Sequence, residues 1–208
     1  MGTSHDRREV KRERTREAFV QATARIIERE GDQAAAVRRV AHEAGYTLAT
    51  LYQYVANQDE LLWRARSALV RKVALDLAVA SPPKIDSWIA LRDEFERFVV
   101  YFMERPRVFR FLYGRALDPA AKPMAAASES EALAAAMAPA AAFLAGRPGC
   151  PPQAAAEALE NASYALMGML CIAVGGNDGM GGEALRGALT RLCRTLARAT
   201  GDDHDFIE

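Results

Sequence analysis

The sequence predicts an all-α protein with a small N-terminal helix-turn-helix module and a larger helical domain behind it. Three observations support this fold class. Apolar residues recur at helical spacing over most of the 208 residues. A short helix, a tight turn and a second helix follow one another within residues 37–62. No alternating apolar pattern bounded by hairpin turns is visible. We divide the chain after residue 64, into predicted domains of residues 1–64 and 65–208.

The helix-turn-helix is indicated by local signals. A first helix is predicted over about residues 11–30, with Gly31 as its stop. The next helix has one apolar face, formed by Val37, Val40, Ala41 and Ala44. Gly45 lies where the chain must turn, because a left-handed backbone is cheap only without a side chain. Thr47 supplies a hydroxyl that caps the following helix, in which Leu51 and Val55 lie on one face.

These residues resemble the N-terminal segment of the tetracycline-repressor-like (TetR-like) bacterial regulators. The residues that carry the resemblance are Gly31, Val40, Ala41, Ala44, Gly45, Tyr46, Thr47, Thr50, Leu51, Tyr52, Gln53, Tyr54, Val55, Asn57, Gln58, Asp59, Glu60, Leu61 and Leu62. The resemblance covers roughly residues 14–64, and beyond them only the helical layout matches. It implies a homodimeric DNA-binding regulator with a helical effector-binding domain. The alternative is another three-helix domain with a similar corner.

Three positions depart from the family pattern. Residues 34–36 are all alanine, where the family usually has a Ser or Thr that caps the helix and touches phosphate. Gln58 replaces a Lys that usually contacts phosphate, and Val55 replaces a frequent Phe. Because phosphate contacts supply much of the affinity for DNA, these changes predict weaker anchoring.

The resemblance also implies which side chains face DNA. Thr50 and Tyr52 would approach phosphate and base edges, and Tyr54 would bind phosphate. Gln53 suits the edge of an adenine, and Arg38 reaches a guanine or a phosphate from the preceding helix. The full predicted DNA-contacting set is Arg14, Arg38, Thr47, Leu48, Ala49, Thr50, Tyr52, Gln53, Tyr54 and Gln58. For Tyr52 and Tyr54, packing inside the three-helix module is the alternative.

The charge distribution is local rather than global. The chain has 27 basic and 27 acidic residues, so the overall basic bias usual in nucleic-acid binders is missing. Residues 7–16 form a basic arm that contains Arg7, Arg8, Lys11, Arg12, Arg14 and Arg16 against Glu9 and Glu13. Such an arm can follow phosphates or enter a minor groove, with a solvated tail as the alternative for Arg7 and Arg8.

The remainder of the chain is predicted to be helical, with prolines and glycines between the helices. Helices are expected to start near Asp59, Asp86, Pro106, Gln153 and Gly182. The alanine-rich residues 116–158 are predicted to form an interrupted helix, or alternatively a disordered linker. Within residues 65–208, a set of aromatic residues at helical spacing predicts a cavity for an apolar or aromatic small molecule. The predicted effector-binding residues are Phe95, Phe98, Phe102, Phe109, Tyr113, Phe143, Asn161 and Tyr164. Aromatic stripes more often form plain core, so for any single one of these residues core packing is favoured over ligand contact.

The last two helices carry more apolar surface than one core needs, which suggests a partner. In TetR-like proteins the last two helices of each subunit form the dimer interface, and a two-fold dimer reads a longer DNA site than one module can. The predicted interface residues are Leu166, Leu170, Leu185, Leu189, Leu192 and Leu196. Some of these leucines would instead belong to the internal core.

Nothing in the sequence indicates an enzyme, a metal site or a cofactor. The three histidines, His5, His42 and His204, are far apart, and no nucleophile motif is present. The glycine-rich residues 175–182 follow a helix and lack the Gly-Lys-Ser/Thr ending of a phosphate loop, so a helix connection is expected.

The expected location is the cytoplasm. The three cysteines are odd in number and widely spaced, which suits reduced thiols. We expect neither a secretory leader nor a membrane span, since the N-terminus is polar and no apolar run of about 18 residues occurs. The sequence therefore predicts a ligand-responsive transcriptional regulator, most simply a repressor that a small effector releases from a pseudo-palindromic operator. The alternative is a helical small-molecule-binding or scaffold protein with weakened or lost DNA binding.

Overall fold

The computed structural model describes the backbone of residues 4–80, 84–123, 128–175 and 181–202, and the side chains of residues 7–80, 84–123, 137–175 and 181–202. Within these ranges the chain is helical and contains no strand, which confirms the predicted all-α class. The α-helices are α1 (Ser4–Glu30), α2 (Val37–Glu43), α3 (Leu48–Leu51), α4 (Gln58–Ala80), α5 (Trp88–Met103), α6 (Pro106–Phe109), α7 (Ser128–Ala145), α8 (Pro152–Gly175) and α9 (Gly182–Ala199). Single turns of 3-10 helix cover Asp32–Ala34 and Pro119–Ala121, and a π-helical turn covers Arg110–Gly114.

The chain divides into two compact units. The first comprises Met1–Val73 and Arg107–Ala132, and the second comprises Ala74–Pro106 and Leu133–Glu208. This division differs from the one predicted after residue 64, because α4 continues through that point as one helix.

The segment after α6 belongs to the first unit because it is tied to α4 there. The Trp63 indole Nε1 donates a hydrogen bond to the carbonyl oxygen of Asp118 at 2.8 Å. The Arg66 guanidinium donates to the carbonyl oxygen of Leu112 in the π-helical turn. Both acceptors lie roughly 50 residues further along the chain than their donors. Helical periodicity describes only neighbouring residues, so it could not predict these two bonds.

The first unit has a core that the helix-turn-helix shares with α1 and α4. Its wholly buried side chains are Phe19, Ile26, Ile27, Val40, Leu51, Leu61 and Leu62. Gly45 makes the turn after α2 with φ 78°, the left-handed backbone that the sequence predicted, and Gly31, the predicted stop of α1, also has a positive φ of 93°. At the start of α4, the Asn57 side chain accepts from the backbone N–H of Glu60 at 2.8 Å. The Glu60 carboxylate accepts in return from the N–H of Ala56 at 2.7 Å, so both side chains cap this end.

The second unit is built on α5, which packs against α8 and α9. Ser87 caps α5 by accepting from the backbone N–H of Ala90 at 3.1 Å. The buried side chains of these three helices include Trp88, Leu91, Phe95, Val99, Phe102, Ala158, Ala162, Leu166, Leu170, Leu185, Leu189, Cys193 and Leu196.

Several predicted boundaries match the structure and two differ. Helix α3 ends at Leu51, whereas the predicted helix included Val55. Helix α9 spans the residues that the sequence predicted, and the alanine-rich region forms α7 and the start of α8. Helix α1 begins at Ser4, ahead of the predicted start near residue 11, so the basic arm continues the helix. The glycine-rich connection at 176–180 and the tail at 203–208 lie outside the described residues.

Helix α8 is the one described helix that is long and apolar enough to cross a membrane by length and composition. Its mean hydropathy reaches 1.3 over 18 residues, and 28% of that stretch is buried. Core and interface helices pass the same test, and Glu157 and Glu160 lie on its exposed side. Because so little of this stretch is buried, α8 has an apolar face that the described residues of the chain leave exposed.

Candidate nucleic-acid interface

The orientation of α3 is set by hydrogen bonds at its start. The Thr47 hydroxyl oxygen accepts from the backbone N–H of Thr50 at 3.1 Å, and the two threonine hydroxyl oxygens are 2.9 Å apart. This is the cap that the sequence predicted. Leu51 and Val55 are buried beneath the helix, so the remaining side chains of α3 must face outward.

The predicted DNA-contacting residues are accessible. Arg14, Arg38, Thr47, Ala49, Tyr52, Gln53 and Gln58 are exposed, and Leu48, Thr50 and Tyr54 are half-buried. Tyr52 is 51% exposed, which argues against packing in the module for this ring. Arg14 and Arg38 make no hydrogen bond or ion pair with any described residue, so both guanidinium groups are available to phosphate or base. Contact with DNA itself stays a prediction.

Tyr54 occupies a different position from Tyr52. Its ring lies 6.0 Å from that of Phe19, which also packs against Tyr46 at 5.1 Å. Aromatic pairs at such separations contribute about 0.5–1.5 kcal/mol beyond the burial of area. Tyr54 therefore packs partly inside the module, as the alternative interpretation held.

Two arginines of α1 have a role that the sequence did not indicate. The Arg16 Nε donates to the carbonyl oxygen of Tyr54 at 3.2 Å, and the Arg12 Nη2 donates to that of Gln53 at 3.4 Å. They bind the carbonyl end of the turn that follows α3, where helix ends leave acceptors without internal partners. The available signal was their spacing of four residues, which puts both on one face of α1. Arg16, which we expected near DNA, is bonded to the turn after α3, and its proximity to DNA stays a prediction.

The start of α2 lacks a side-chain cap. Ala36 stands at the N-cap position, and no side chain accepts a hydrogen bond from the first turn. The Gln58 amide donates to the carbonyl oxygen of Ala35 at 3.4 Å, so this predicted phosphate contact also has a partner within the unit. Both positions are the ones at which the sequence departs from the TetR-like pattern.

Ion pairs neutralise the charges around α2. The Arg29 guanidinium bonds to Glu43 at 3.2 Å and to Glu30 at 3.0 Å, and Arg39 also pairs with Glu30. The hydrogen bond from Arg29 holds the pKa of Glu43 below its usual value, and the bond from Arg39 does the same for the pKa of Glu30. Arg38 lies outside this network and keeps its charge facing solvent.

The predicted effector residues do not form one set. In the second unit, Phe95 and Phe102 are buried in α5, and the ring of Phe98 meets that of Phe102 edge-on at 5.3 Å. Phe143 meets Trp88 edge-on at 5.1 Å. The remaining four residues are placed elsewhere, namely Phe109, Tyr113, Asn161 and Tyr164.

Those four lie in two places. Phe109 and Tyr113 belong to the first unit, with their rings 5.3 Å apart. Asn161 and Tyr164 are exposed on α8, where the Tyr164 hydroxyl donates to Glu160 at 2.8 Å. An exposed side chain does not line an enclosed cavity within its own subunit.

The predicted dimer leucines need correction. Leu166, Leu170, Leu185, Leu189 and Leu196 are at most 2% exposed, and Leu192 is half-buried. A side chain that its own chain covers completely has no surface left for a partner, so the first five belong to the core. The exposed side of α8 instead presents Tyr164, Gly168, Cys171 and Ile172, which we call the α8 outer face.

The fold is similar to those of three solved proteins. A TetR family transcription regulator from Marinobacter aquaeolei VT8 is 22% identical over 90% of this chain and 96% of its own, with a TM-score of 0.56. RolR, in a complex with resorcinol, is 15% identical over 96% of this chain and 98% of its own, with a TM-score of 0.61. A TetR transcriptional regulator from Rhodococcus sp. RHA1 is 16% identical over 89% of this chain and 97% of its own, with a TM-score of 0.54. No protein-family model and no curated protein matches the sequence.

At these identities the likeness shows the fold. The chain has the fold of TetR-family transcription regulators, with a helix-turn-helix region followed by a helical domain. This agreement confirms the fold that the motif residues implied.

Proposed function

From the fold that this chain shares with TetR-family transcription regulators, we propose that it is itself a transcriptional regulator that binds double-stranded DNA as a homodimer. The observation that carries the proposal is the arrangement of α3. Its inner residues are buried, its start is capped by Thr47, and the next turn is held by Arg12 and Arg16. Major-groove recognition requires a firmly held segment with exposed polar side chains, and here these are Tyr52 and Gln53 in the turn after α3.

Each exposed side chain of this region has a proposed role. Gln53 reads a base edge, since an amide can donate to and accept from the same adenine. Tyr52 contacts the backbone or the thymine methyl beside it. Arg38, which is exposed from α2, and Arg14, exposed from α1, bind phosphate, because both lack other partners among the described residues.

We assign dimerisation to the α8 outer face. Ile172 is 62% and Tyr164 is 66% exposed, and Gly168 between them allows a close approach of a second helix. Self-association around a two-fold axis brings the same face of both subunits together, which matches one small apolar surface with itself. A dimer also doubles the length of the DNA site.

The second unit is proposed to bind the effector. RolR, which has the same fold, was solved with resorcinol, and an aromatic molecule of that kind suits the cluster of Phe95, Phe98 and Phe102. Binding would release the operator if the effector prefers the free arrangement, typically by about 1–3 kcal/mol. This makes a repressor the simplest form of the regulator.

Selection of bound fragments from a random DNA pool at about 100 mM salt tests the proposal. Salt at this concentration weakens non-specific phosphate binding, so fragments with specific contacts are retained. An enriched inverted repeat is the expected result. No enrichment from a folded, dimeric protein would contradict it and favour a small-molecule-binding or scaffold protein without DNA binding.

Two substitutions separate base reading from phosphate binding. Gln53→Ala should relax the preferred base at one position of each half-site, at a cost of about 1–3 kcal/mol for the best site. Arg38→Ala should weaken all sequences alike and lower the salt dependence by about one counterion per subunit. Arg107→Ala is the matched control, since Arg107 is exposed in the same unit and outside the motif. An equal loss in all three variants would contradict the assigned roles.

A further inference from the structure

A cavity of about 380 Å³ lies within the second unit, away from the aromatic cluster of α5. The loop before α5 supplies Lys84 and Ile85, and α7 with the turn after it supplies Pro139, Ala142, Phe143 and Arg147. This volume is at the lower end of the range for small-molecule sites. The cavity therefore has room only for a compact ligand.

The guanidinium of Arg147 is held rigidly at the cavity wall. Its Nη1 donates to Asp202 at 3.0 Å, and its central carbon lies 4.2 Å from the centre of the Phe143 ring. The Nε atom is buried and has no hydrogen-bond partner among the described residues. The Nη2 amino group makes no hydrogen bond with a described residue and is not fully buried, so it remains an available donor. A planar cation fixed by an aromatic ring and a carboxylate loses little entropy when it binds an anion.

The Asp202 carboxylate forms an ion pair with Arg147. The same carboxylate oxygen also accepts from the Trp88 indole Nε1 at 3.0 Å. Trp88 in turn meets the Phe143 ring edge-on, so the indole, the phenyl ring and the guanidinium form one connected group. Any ligand that contacts Arg147 therefore changes the surroundings of Trp88.

The charges on the cavity wall favour an anion. Lys84 is exposed and makes no hydrogen bond or ion pair with a described residue, which leaves a second cation beside Arg147. Asp86 also borders the cavity, and Asp202 already pairs with Arg147, so two cations meet two carboxylates here. The donors that still lack an acceptor among the described residues are the Lys84 ammonium and the Arg147 Nη2 group, and two such donors match one carboxylate of a ligand.

The other walls are apolar. Ala142 is exposed and Pro139 is half-buried, so these two supply the accessible apolar surface, whereas Ile85 and Phe143 are almost fully buried. Burial of such surface drives the association of an apolar group, at about 25 cal/mol per Å². An inorganic anion would leave it uncovered.

We propose that this cavity binds a small carboxylate that carries an apolar group. The carboxylate accepts from Arg147 Nη2 and from Lys84, and the apolar group lies against Ile85, Pro139 and Ala142. The inference does not depend on DNA binding, and it assigns a second small-molecule site, separate from the cluster of Phe95, Phe98 and Phe102.

Trp88 reports binding directly if Trp63, the other tryptophan of the chain, is replaced by Phe. Phenylacetate is the probe, and phenylacetamide is its uncharged equivalent of the same shape. We expect phenylacetate to change Trp88 fluorescence with saturation and a Kd of about 0.1–10 mM, the range open to a ligand of this size. Phenylacetamide should bind at least about fivefold more weakly, because it lacks the charge. Saturation-transfer NMR on the unmodified chain is the second measurement.

Two variants assign the signal to the cavity. Ala142→Leu fills it with a good helix former and should abolish binding, and Lys84→Met should weaken phenylacetate about threefold or more while leaving phenylacetamide unchanged. Lys72→Met is the matched control, since Lys72 is an exposed lysine of the first unit. Equal binding of the two probes, an unchanged affinity in Ala142→Leu, or no saturable signal would each overturn the proposal.

Discussion

The sequence predictions for the helix-turn-helix and for the last two helices had different outcomes in the structure. In both regions the sequence predicted the helices themselves, and α2 and α9 begin at the predicted residues. In the motif, Val40, Ala41, Leu51 and Val55 are buried as predicted, Val37 and Ala44 are half-buried, and the residues predicted for DNA are accessible. In the last two helices five of the six predicted interface leucines belong to the core, and the exposed apolar face is another one.

The difference comes from helix length. Helix α3 has one turn of regular helix between a glycine turn and a buried Val55, so only one face is available for burial. Helix α8 has 24 residues and apolar side chains on more than one face. A regular apolar stripe shows that a face is covered, but it does not show whether the same chain or a second chain covers it.

The largest expected effect compares two cysteines on these helices. Burial raises the pKa of the Cys193 thiol on α9 to about 12, whereas Cys171 on the α8 outer face is exposed. At protein concentrations low enough for the proposed dimer to dissociate, iodoacetamide at pH 8 should therefore alkylate Cys193 at least about 1,000-fold more slowly than Cys171, because only the thiolate reacts. Peptide mass spectrometry over time measures both rates.

The same thiol has a consequence for stability. Because the pKa of Cys193 is raised in the folded state, the neutral thiol contributes to the free energy of unfolding. This contribution is complete below about pH 9 and is lost as the pH rises from there toward 12. Comparable rates for the two cysteines in the folded protein would contradict the assignment of Cys193 to the core.

The next effect concerns Leu189, which is wholly buried. Leu189→Ala should lower the free energy of unfolding by about 2–5 kcal/mol, since it removes transfer energy and leaves a cavity. Urea denaturation with a constant m-value measures this. Thr195→Ala, an exposed change on the same helix, should stay within about 0.5 kcal/mol. A small loss at Leu189 together with a weakened dimer would restore the original interface prediction.

A smaller effect is expected at Ile172 on the α8 outer face. Ile172→Asp should leave the subunit folded and raise the dimer dissociation constant at least about tenfold, because the interface would bury an unpaired charge. Sedimentation analysis over a concentration series measures the constant. Ile89→Asp introduces the same change at an exposed isoleucine of α5 and is the control. An unchanged dimer in Ile172→Asp would remove the α8 outer face from the interface.

The smallest expected effects compare the two caps of the motif. Thr47→Ala should lower the free energy of unfolding by about 1 kcal/mol, because the hydroxyl that accepts from Thr50 is lost. Ala36→Ser should raise it by about the same amount, because α2 gains the missing cap. Thermal unfolding measures both, and DNA affinity in the same pair tests whether the cap also binds phosphate. A neutral Ala36→Ser would mean that water already satisfies the first turn of α2.

Most of the motif could be read from the sequence because its signals are local. Gly45 needs a left-handed backbone and Thr47 needs the N–H of Thr50, and both requirements are met within five residues. The roles of Arg12 and Arg16 could not be read in this way. Their acceptors, the carbonyl oxygens of Gln53 and Tyr54, lie about 40 residues further along the chain.

The sequence by itself determined the helical class, the positions of the turns and the outward face of α3, since these follow from spacing and from the conformational demands of single residues. Tertiary structure alone decided which leucines of α8 and α9 form the core, which aromatic side chains meet, and where Arg147, Phe143 and Asp202 come together. The physical reason is that burial and hydrogen bonding depend on which surfaces meet in space. Residues distant in sequence carry no periodic signal of one another, so their contacts appear only in the folded chain.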